Sequence, residues 1–96
     1  MLSLTHFSPF VGEHFGFSTA AEGPAQAHAT LIEAALLTSP AFGARQPFHL
    51  IFEGPVESLL DQRTYQVRHA AFSGLELFIV PVGQSRSGIR YEAVFN

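Results

Sequence analysis

Five histidines and eight acidic residues are the side chains of this sequence best suited to metal binding or acid–base chemistry. Imidazole and carboxylate are usual zinc ligands, and two histidines on one helix typically bind from positions four apart. No two histidines here have that spacing. On strands, the best candidates for a shared site are His28, His49 and His69 with Glu33 or Glu53. Scattered, hydrogen-bonded strand histidines are the simpler interpretation, so we predict no metal and no cofactor.

The serines do not form a catalytic motif. Ser, His and Glu all occur, but the Gly-x-Ser-x-Gly turn that exposes a nucleophilic serine is absent. The segment Gly83–Gly88 has glycine at both ends and one arginine, yet it lacks the Gly-Lys-Ser ending of a phosphate loop. No helical pattern follows it, so we interpret it as a hairpin tip. We predict no catalytic residues, and the sequence favours a non-enzymatic role.

Charge and hydropathy limit the partners of the chain. Its formal net charge is −3, and its five basic residues are all arginine. Nucleic-acid binding requires clustered positive charge, so we predict no nucleic-acid partner. No apolar run approaches the roughly 18 residues of a membrane helix, and the N-terminus lacks a basic-then-apolar signal pattern. We therefore predict a soluble, cytoplasmic protein that does not associate with a membrane.

The composition is that of one small folded domain. The 96 residues are 47% hydrophobic and 14% charged, which is too apolar for a disordered chain. Because there is no cysteine, stability must come from burial rather than from disulfides or thiolate metal sites. Ten phenylalanines supply much of the apolar surface for a single core. We predict one domain over residues 1–96.

Alternation of apolar and polar residues predicts strands along most of the chain. The segments 13–18, Phe48–Glu53 and Thr64–His69 each alternate with the period of two that a strand requires. The last third, Leu75–Asn96, consists of two β-rich runs around a Gly/Ser loop, which predicts a hairpin. Ala70–Gly74 is predicted to be the turn that leads into it.

Two further segments do not alternate. Near the N-terminus, apolar residues recur at spacings of three and four, which predicts a helical lid of one or two turns. The apolar side chains of this lid are Leu4, Phe7, Phe10 and Val11. Thr38–Pro47 contains two prolines and one glycine and is predicted to be a loop.

Residues 25–37 are ambiguous. Ala, Leu, Gln and Glu dominate, and Pro24 precedes them where a first helical residue would lie, so propensity favours a helix. Ala27, Ala29 and Leu31 nevertheless alternate with polar residues, as in a strand. The residues alone leave both possibilities open.

Several motifs together resemble those of a family of short, uncharacterised bacterial proteins, a domain of unknown function. The match covers most of the chain. The motifs are Leu4, Phe7-Ser8-Pro9, Val11-Gly12, Phe52-Glu53-Gly54-Pro55, Tyr65, His69, Leu77–Gly83, Gly88 and Tyr91–Asn96.

The resemblance implies an all-β chain, with an alternating strand that ends at Glu33. On that ground we predict a strand over residues 25–36. The resemblance implies no accepted activity, cofactor or catalytic residue. Some family members are encoded beside phage-tail-like collar proteins, which implies an accessory role in an assembly.

We therefore predict a small antiparallel β-barrel or rolled sheet of about six strands, with a short N-terminal helical turn. The period of two assigns a set of side chains to the interior. These are Phe48, Leu50, Phe52, Tyr65, Val67, Leu75, Leu77, Ile79, Tyr91, Ala93 and Phe95. Because nearly all of them are apolar, the interior leaves little room for chemistry.

The same alternation places apolar residues on the outer face, where polar residues are expected. The residues of this predicted stripe are Ile51, Phe78, Val80, Val82 and Val94. Large apolar patches are rarely left bare on monomers, so the stripe predicts partial cover by the lid plus contact with a protein partner or a second copy. The expected function is a non-catalytic interaction or structural module. The alternative is a small-ligand-binding barrel or a small enzyme that uses His and Glu residues.

Overall fold

Six antiparallel strands form a closed barrel in the computed structural model, which describes residues 2–20, 22–37 and 46–96. Around the barrel the strand order is β1-β2-β3-β6-β5-β4. The strands are β1 His14–Ser18, β2 Ala27–Leu36, β3 Phe48–Gly54, β4 Arg63–His69, β5 Phe72–Ser85 and β6 Gly88–Phe95. The predicted fold class, an all-β antiparallel barrel with a short N-terminal helical turn, is confirmed.

The interior of the barrel holds the side chains that alternation assigned to it. All of the predicted interior residues are buried except Phe95, which is partly buried against the same core. Two buried tyrosines keep their hydroxyl groups bonded to backbone. The Tyr65 hydroxyl donates to the Asp61 carbonyl at 2.9 Å, and the Tyr91 hydroxyl accepts from the Leu60 amide at 2.9 Å. The core is therefore apolar, with its polar atoms satisfied.

The ambiguous segment is a strand. β2 begins at Ala27, two residues after the predicted start, and its register against β3 shifts between Leu31 and Glu33. Its inward alanines lie opposite large rings, since Ala27 pairs with Phe17 and Ala29 pairs with Phe15 on β1. Small residues on β2 therefore leave space for aromatic side chains on β1, which explains how a chain rich in helix formers fits this sheet.

The lid consists of α1, Leu4–Phe7, followed by a single 3-10 turn, Ser8–Phe10. Phe7 is fully buried, and its ring lies 4.9 Å from that of Phe72 and 5.4 Å from that of Phe95. The lid thus closes one end of the barrel. No helix within the described residues is long and apolar enough to cross a membrane.

Val11 does not belong to the buried side of the lid. It is 45% exposed, because the chain turns at Val11 and Gly12 instead of continuing the helix. Gly12 has φ of +98°, and its amide donates to the Leu31 carbonyl at 2.7 Å. This bond ties the end of the lid to β2.

The predicted turns are longer than the actual ones. β5 begins at Phe72, so only Ala70 and Ala71 lie between β4 and β5. At the other end β5 runs to Ser85, which leaves a two-residue turn before β6. At both ends of β5, backbone pairing extends beyond the residues whose apolar and polar side chains alternate in the sequence. Most of the predicted loop Thr38–Pro47 lies outside the described residues.

Candidate interaction face on the outside of the barrel

The strands β3, β6 and β5 are neighbours, and their outward side chains form one surface. Ile51 on β3 is opposite Glu92 on β6, and Glu92 is opposite Val80 on β5. In an antiparallel sheet, residues directly opposite each other point to the same side. Val94 lies opposite His49, one row further along. We call the outward side chains of these three strands the outer face.

The predicted stripe residues all lie on the outer face, and three of them are widely exposed. Phe78 and Val82 are each 52% exposed and Val94 is 47% exposed, whereas Ile51 and Val80 are half-buried. These exposures show that the lid leaves the three side chains largely uncovered. The lid closes the end of the barrel instead.

The face is not a continuous apolar stripe. Glu92 separates Ile51 from Val80 in the row that crosses the three strands. Val82 lies where the register between β5 and β6 shifts, between Pro81 and Gly83, and such a bulge changes the direction of a side chain. The surface is therefore an apolar patch around one carboxylate.

An imidazole between two carboxylates borders this patch. The Nε2 atom of His49 lies 2.6 Å from an oxygen of Glu33 on β2, and its Nδ1 atom lies 2.7 Å from an oxygen of Glu92. Both ring nitrogens can donate only when the ring is protonated. Burial lowers the pKa of His49, but the hydrogen bonds and negative charges of Glu92 and Glu33 outweigh it, so the pKa is raised above 6.5. The group is a pair of carboxylates joined by one imidazole.

The His49 cluster makes a testable contribution to stability. Because its folded-state pKa is raised, His49 stabilises the fold fully below its unfolded-state pKa of 6.5. That contribution is lost as pH rises through the folded-state pKa. We expect His49→Gln to destabilise the protein more at about pH 5.5, below the unfolded-state pKa, than at about pH 8. Urea unfolding at the two pH values measures the difference.

The control for this measurement is His28→Gln, because His28 is exposed on β2. Its effect on stability should be small and nearly equal at both pH values. If His49→Gln destabilised the protein equally at both pH values, the charge of the ring would not contribute and the carboxylates would be held by other groups.

The other histidines do not join this cluster. His69 Nε2 lies 2.7 Å from an oxygen of Glu13, and its Nδ1 accepts a hydrogen bond from the Ala71 amide at 3.0 Å. Its ring also stacks on Phe15, with 4.4 Å between ring centroids. The candidate metal set thus separates into different environments. Within the described residues, no three His, Cys, Asp or Glu side chains are arranged to hold a metal ion.

Sequence reasoning found part of this site. It grouped His49 with Glu33 as possible ligands, and the structure places them together as an ion pair. It did not connect Glu92 to His49, because only the strand order shows that β6 lies beside β3. Glu53, the other candidate acid, pairs with Arg90 at 3.4 Å instead.

A shallow concavity of about 610 Å³ adjoins the cluster on the outer surface. The residues lining it include Glu33, His49, Ile51, Val82, Gln84 and Arg90. Its wall combines both signs of charge with apolar side chains. Such a surface can bind polar and apolar groups of a partner together. The His49 ring offers no free nitrogen to such a partner, because both of its nitrogens are already bonded to carboxylates.

The fold and this surface define a small all-β barrel with an apolar core, a capped end and an external candidate site. The chain belongs to the family described as Domain of unknown function (DUF6916), which matches residues 2–95. No curated protein and no solved structure matches the chain.

Proposed function

We propose that this barrel is a non-catalytic interaction module that binds a protein partner through its outer face. The observation that carries the proposal is the exposure of Phe78, Val82 and Val94 on two neighbouring strands. Apolar patches on monomeric proteins commonly mark protein contacts. The His49 cluster beside the patch would add charge selectivity at the rim.

The packing of the barrel supports binding by its surface rather than its interior. Inward positions of all six strands carry apolar or aromatic side chains, and the Tyr65 and Tyr91 hydroxyls are bonded to backbone groups. A ligand-binding barrel or a small enzyme would place titratable groups toward an internal pocket. His49 and Glu92 lie on the outside instead, bonded to each other.

The setting of the interaction is also a proposal. The resemblance to family members encoded beside phage-tail-like collar proteins supports an accessory role in a larger bacterial assembly. We also propose a cytoplasmic location. A homo-oligomer through the same face is the second form that the interaction can take.

The test of the outer face is the double variant Phe78→Glu with Val94→Lys. Both side chains are about half exposed, so charges there should leave the fold intact, as circular dichroism would check. We expect the variant to lose self-association in sedimentation velocity, or to lose proteins that a tagged wild-type copy retains from its native host. The matched control is Leu59→Glu, which changes an even more exposed side chain outside the strands.

Two results would contradict the proposal. Unfolding of the double variant would mean that the patch is part of the core. Equal association by the wild type, the double variant and the control would mean that the outer face is not the contact surface.

A further inference from the structure

The outer face carries an excess of negative charge. Apart from His49, the charged side chains on its strands are Glu53, Glu76, Glu92 and Arg90. Glu33 on the neighbouring strand β2 lies 2.6 Å from the His49 ring and adds a fourth carboxylate. These four carboxylates and one arginine have a formal charge of −3, as large as that of the whole chain. Because the remaining acidic and basic residues of the sequence are equal in number, the excess charge lies around the exposed apolar side chains.

Arginine neutralises only one of these carboxylates. Arg90 lies 3.4 Å from Glu53. Glu76 accepts a hydrogen bond from the uncharged side-chain amide of a glutamine on β4. Glu92 is bonded to the His49 ring through one of its two oxygens, Oε2. A carboxylate can accept several hydrogen bonds, so Glu76 and Glu92 can each bind a cation that a partner brings.

Each of these two carboxylates lies beside an exposed apolar side chain. Glu76 precedes Phe78 by two residues on β5, and Glu92 precedes Val94 by two residues on β6. Residues two apart on a strand point to the same side and are about 7 Å apart. Val80, which follows Phe78 on that side of β5, is opposite Glu92. Because the strands are antiparallel, Phe78 and Val94 lie on the same side of this cross-strand pair, and the two acidic–apolar pairs form one surface.

An acidic group beside an apolar one is matched by a long basic side chain. Lysine and arginine carry a cation at the end of an apolar methylene stem, which packs along apolar surface. An arginine can also place its guanidinium over the face of a phenylalanine ring. Phe78 is 52% exposed and Val94 is 47% exposed, so both are accessible to such stems.

A second copy of the chain matches this surface less well. In a two-fold dimer the same patch of both subunits meets itself. The excess carboxylates of one outer face would then lie against those of the other, and like charges across an interface are unfavourable. Charge complementarity therefore favours a different, basic protein.

We propose that the partner of the outer face is a protein with a basic contact surface. Its arginine or lysine stems lie along Phe78 and Val94, and their cations bind the neighbouring carboxylates. These carboxylates are Glu76 and Glu92. The inference rests on the proposed interaction function and adds the chemistry of the partner.

The first test uses a defined probe, an acetylated and amidated eight-residue peptide of alternating arginine and serine. In an NMR titration it should shift the amide resonances of residues 76–80 and 90–94, and a peptide with glutamate in place of arginine should not. A peptide of equal charge with diaminopropionic acid in place of arginine lacks the long stem. It should bind at least about threefold more weakly, because the stem contributes apolar burial.

The second test removes one charge from the protein. Glu76→Gln keeps the size of the side chain and should weaken binding of the arginine peptide about threefold, as expected for one solvent-exposed ion pair. Glu57→Gln makes the same change at an exposed residue outside the strands and should alter binding by less than about 1.5-fold. Circular dichroism checks that both variants are folded.

Three results would overturn the basic partner. One is equal weakening by Glu76→Gln and Glu57→Gln, since the peptide would then be attracted only by the net charge of the protein. Another is equal binding of the arginine and diaminopropionic acid peptides, since the stems would then not contact the apolar side chains. The third is dimerisation of the wild type that Phe78→Glu with Val94→Lys abolishes, since a second copy would then occupy the face.

One further outcome separates this inference from the proposed function. If Phe78→Glu with Val94→Lys abolished binding of a native partner while Glu76→Gln and added salt left that binding unchanged, the outer face would be the contact surface. The basic character of its partner would nevertheless be wrong.

Discussion

Replacing Phe7 by alanine should lower the free energy of unfolding by about 3–5 kcal/mol, the range for a fully buried phenylalanine. Phe7 is 0% exposed, and its ring packs against Phe48, Phe72 and Phe95 at the closed end of the barrel. Since small domains have about 5–15 kcal/mol in total, the variant should melt at least about 10 °C lower.

The control for Phe7 is Val11→Ala, a truncation in the same lid. Val11 is 45% exposed, so its loss should change stability by no more than about 0.5 kcal/mol. Removal of residues 1–12 should destabilise the domain further without abolishing the sheet, because all six strands begin after the lid. If the Phe7 variant melted with the wild type, the lid would not be docked on the barrel in solution.

Alternation with a period of two was sufficient to predict the interior of the barrel. In β3, Phe48, Leu50 and Phe52 are buried, whereas His49 and Ile51 are half-buried on the other side. The prediction succeeds because each strand has one face against the core, so a residue's parity determines its environment. The same reasoning placed the five stripe residues on the outer surface.

Residues 27–36 show why local propensity was insufficient. The alanines of β2 are strong helix formers, but Ala27 and Ala29 lie opposite Phe17 and Phe15 in the sheet. Their small size matters only because β1 lies beside them. Which strand lies beside β2 is decided by the tertiary structure and not by the local sequence. The resemblance to a family supplied the strand prediction that the residues alone left open.

The ion pairs could not be predicted for a related reason. The two bonds of His49 join β2, β3 and β6, three strands that are adjacent in space but far apart in sequence. A sequence gives the side on which a residue lies but not the strand beside it. The bulges near Glu33 and Val82 shift the register further, and alternation alone does not locate a bulge.

The second large effect is expected at Gly88, the first residue of β6. Its φ is +155°, and a Cβ atom built there would lie 2.3 Å from the carbonyl oxygen of Gly54 on β3. Real side chains do not approach backbone so closely, and an oxygen held by a strand cannot easily move. Relief would require β6 and β3 to separate where Gly54 pairs with Ile89. Glycine here permits close packing of two strands.

We expect Gly88→Ala to destabilise the protein by about 3 kcal/mol or more, as backbone strain adds to the steric overlap. Two glycines of β5, the other strand of this hairpin, separate these two causes. At Gly74 φ is positive, but no atom lies within 4 Å of an added Cβ, so Gly74→Ala should lower the free energy of unfolding by about 1–2 kcal/mol. At Gly83 there is neither a positive φ nor an atom close to the added Cβ, so Gly83→Ala should leave stability nearly unchanged. Urea unfolding of the three variants measures the series, and equal effects at Gly88 and Gly74 would show that the contact with Gly54 relaxes at no cost.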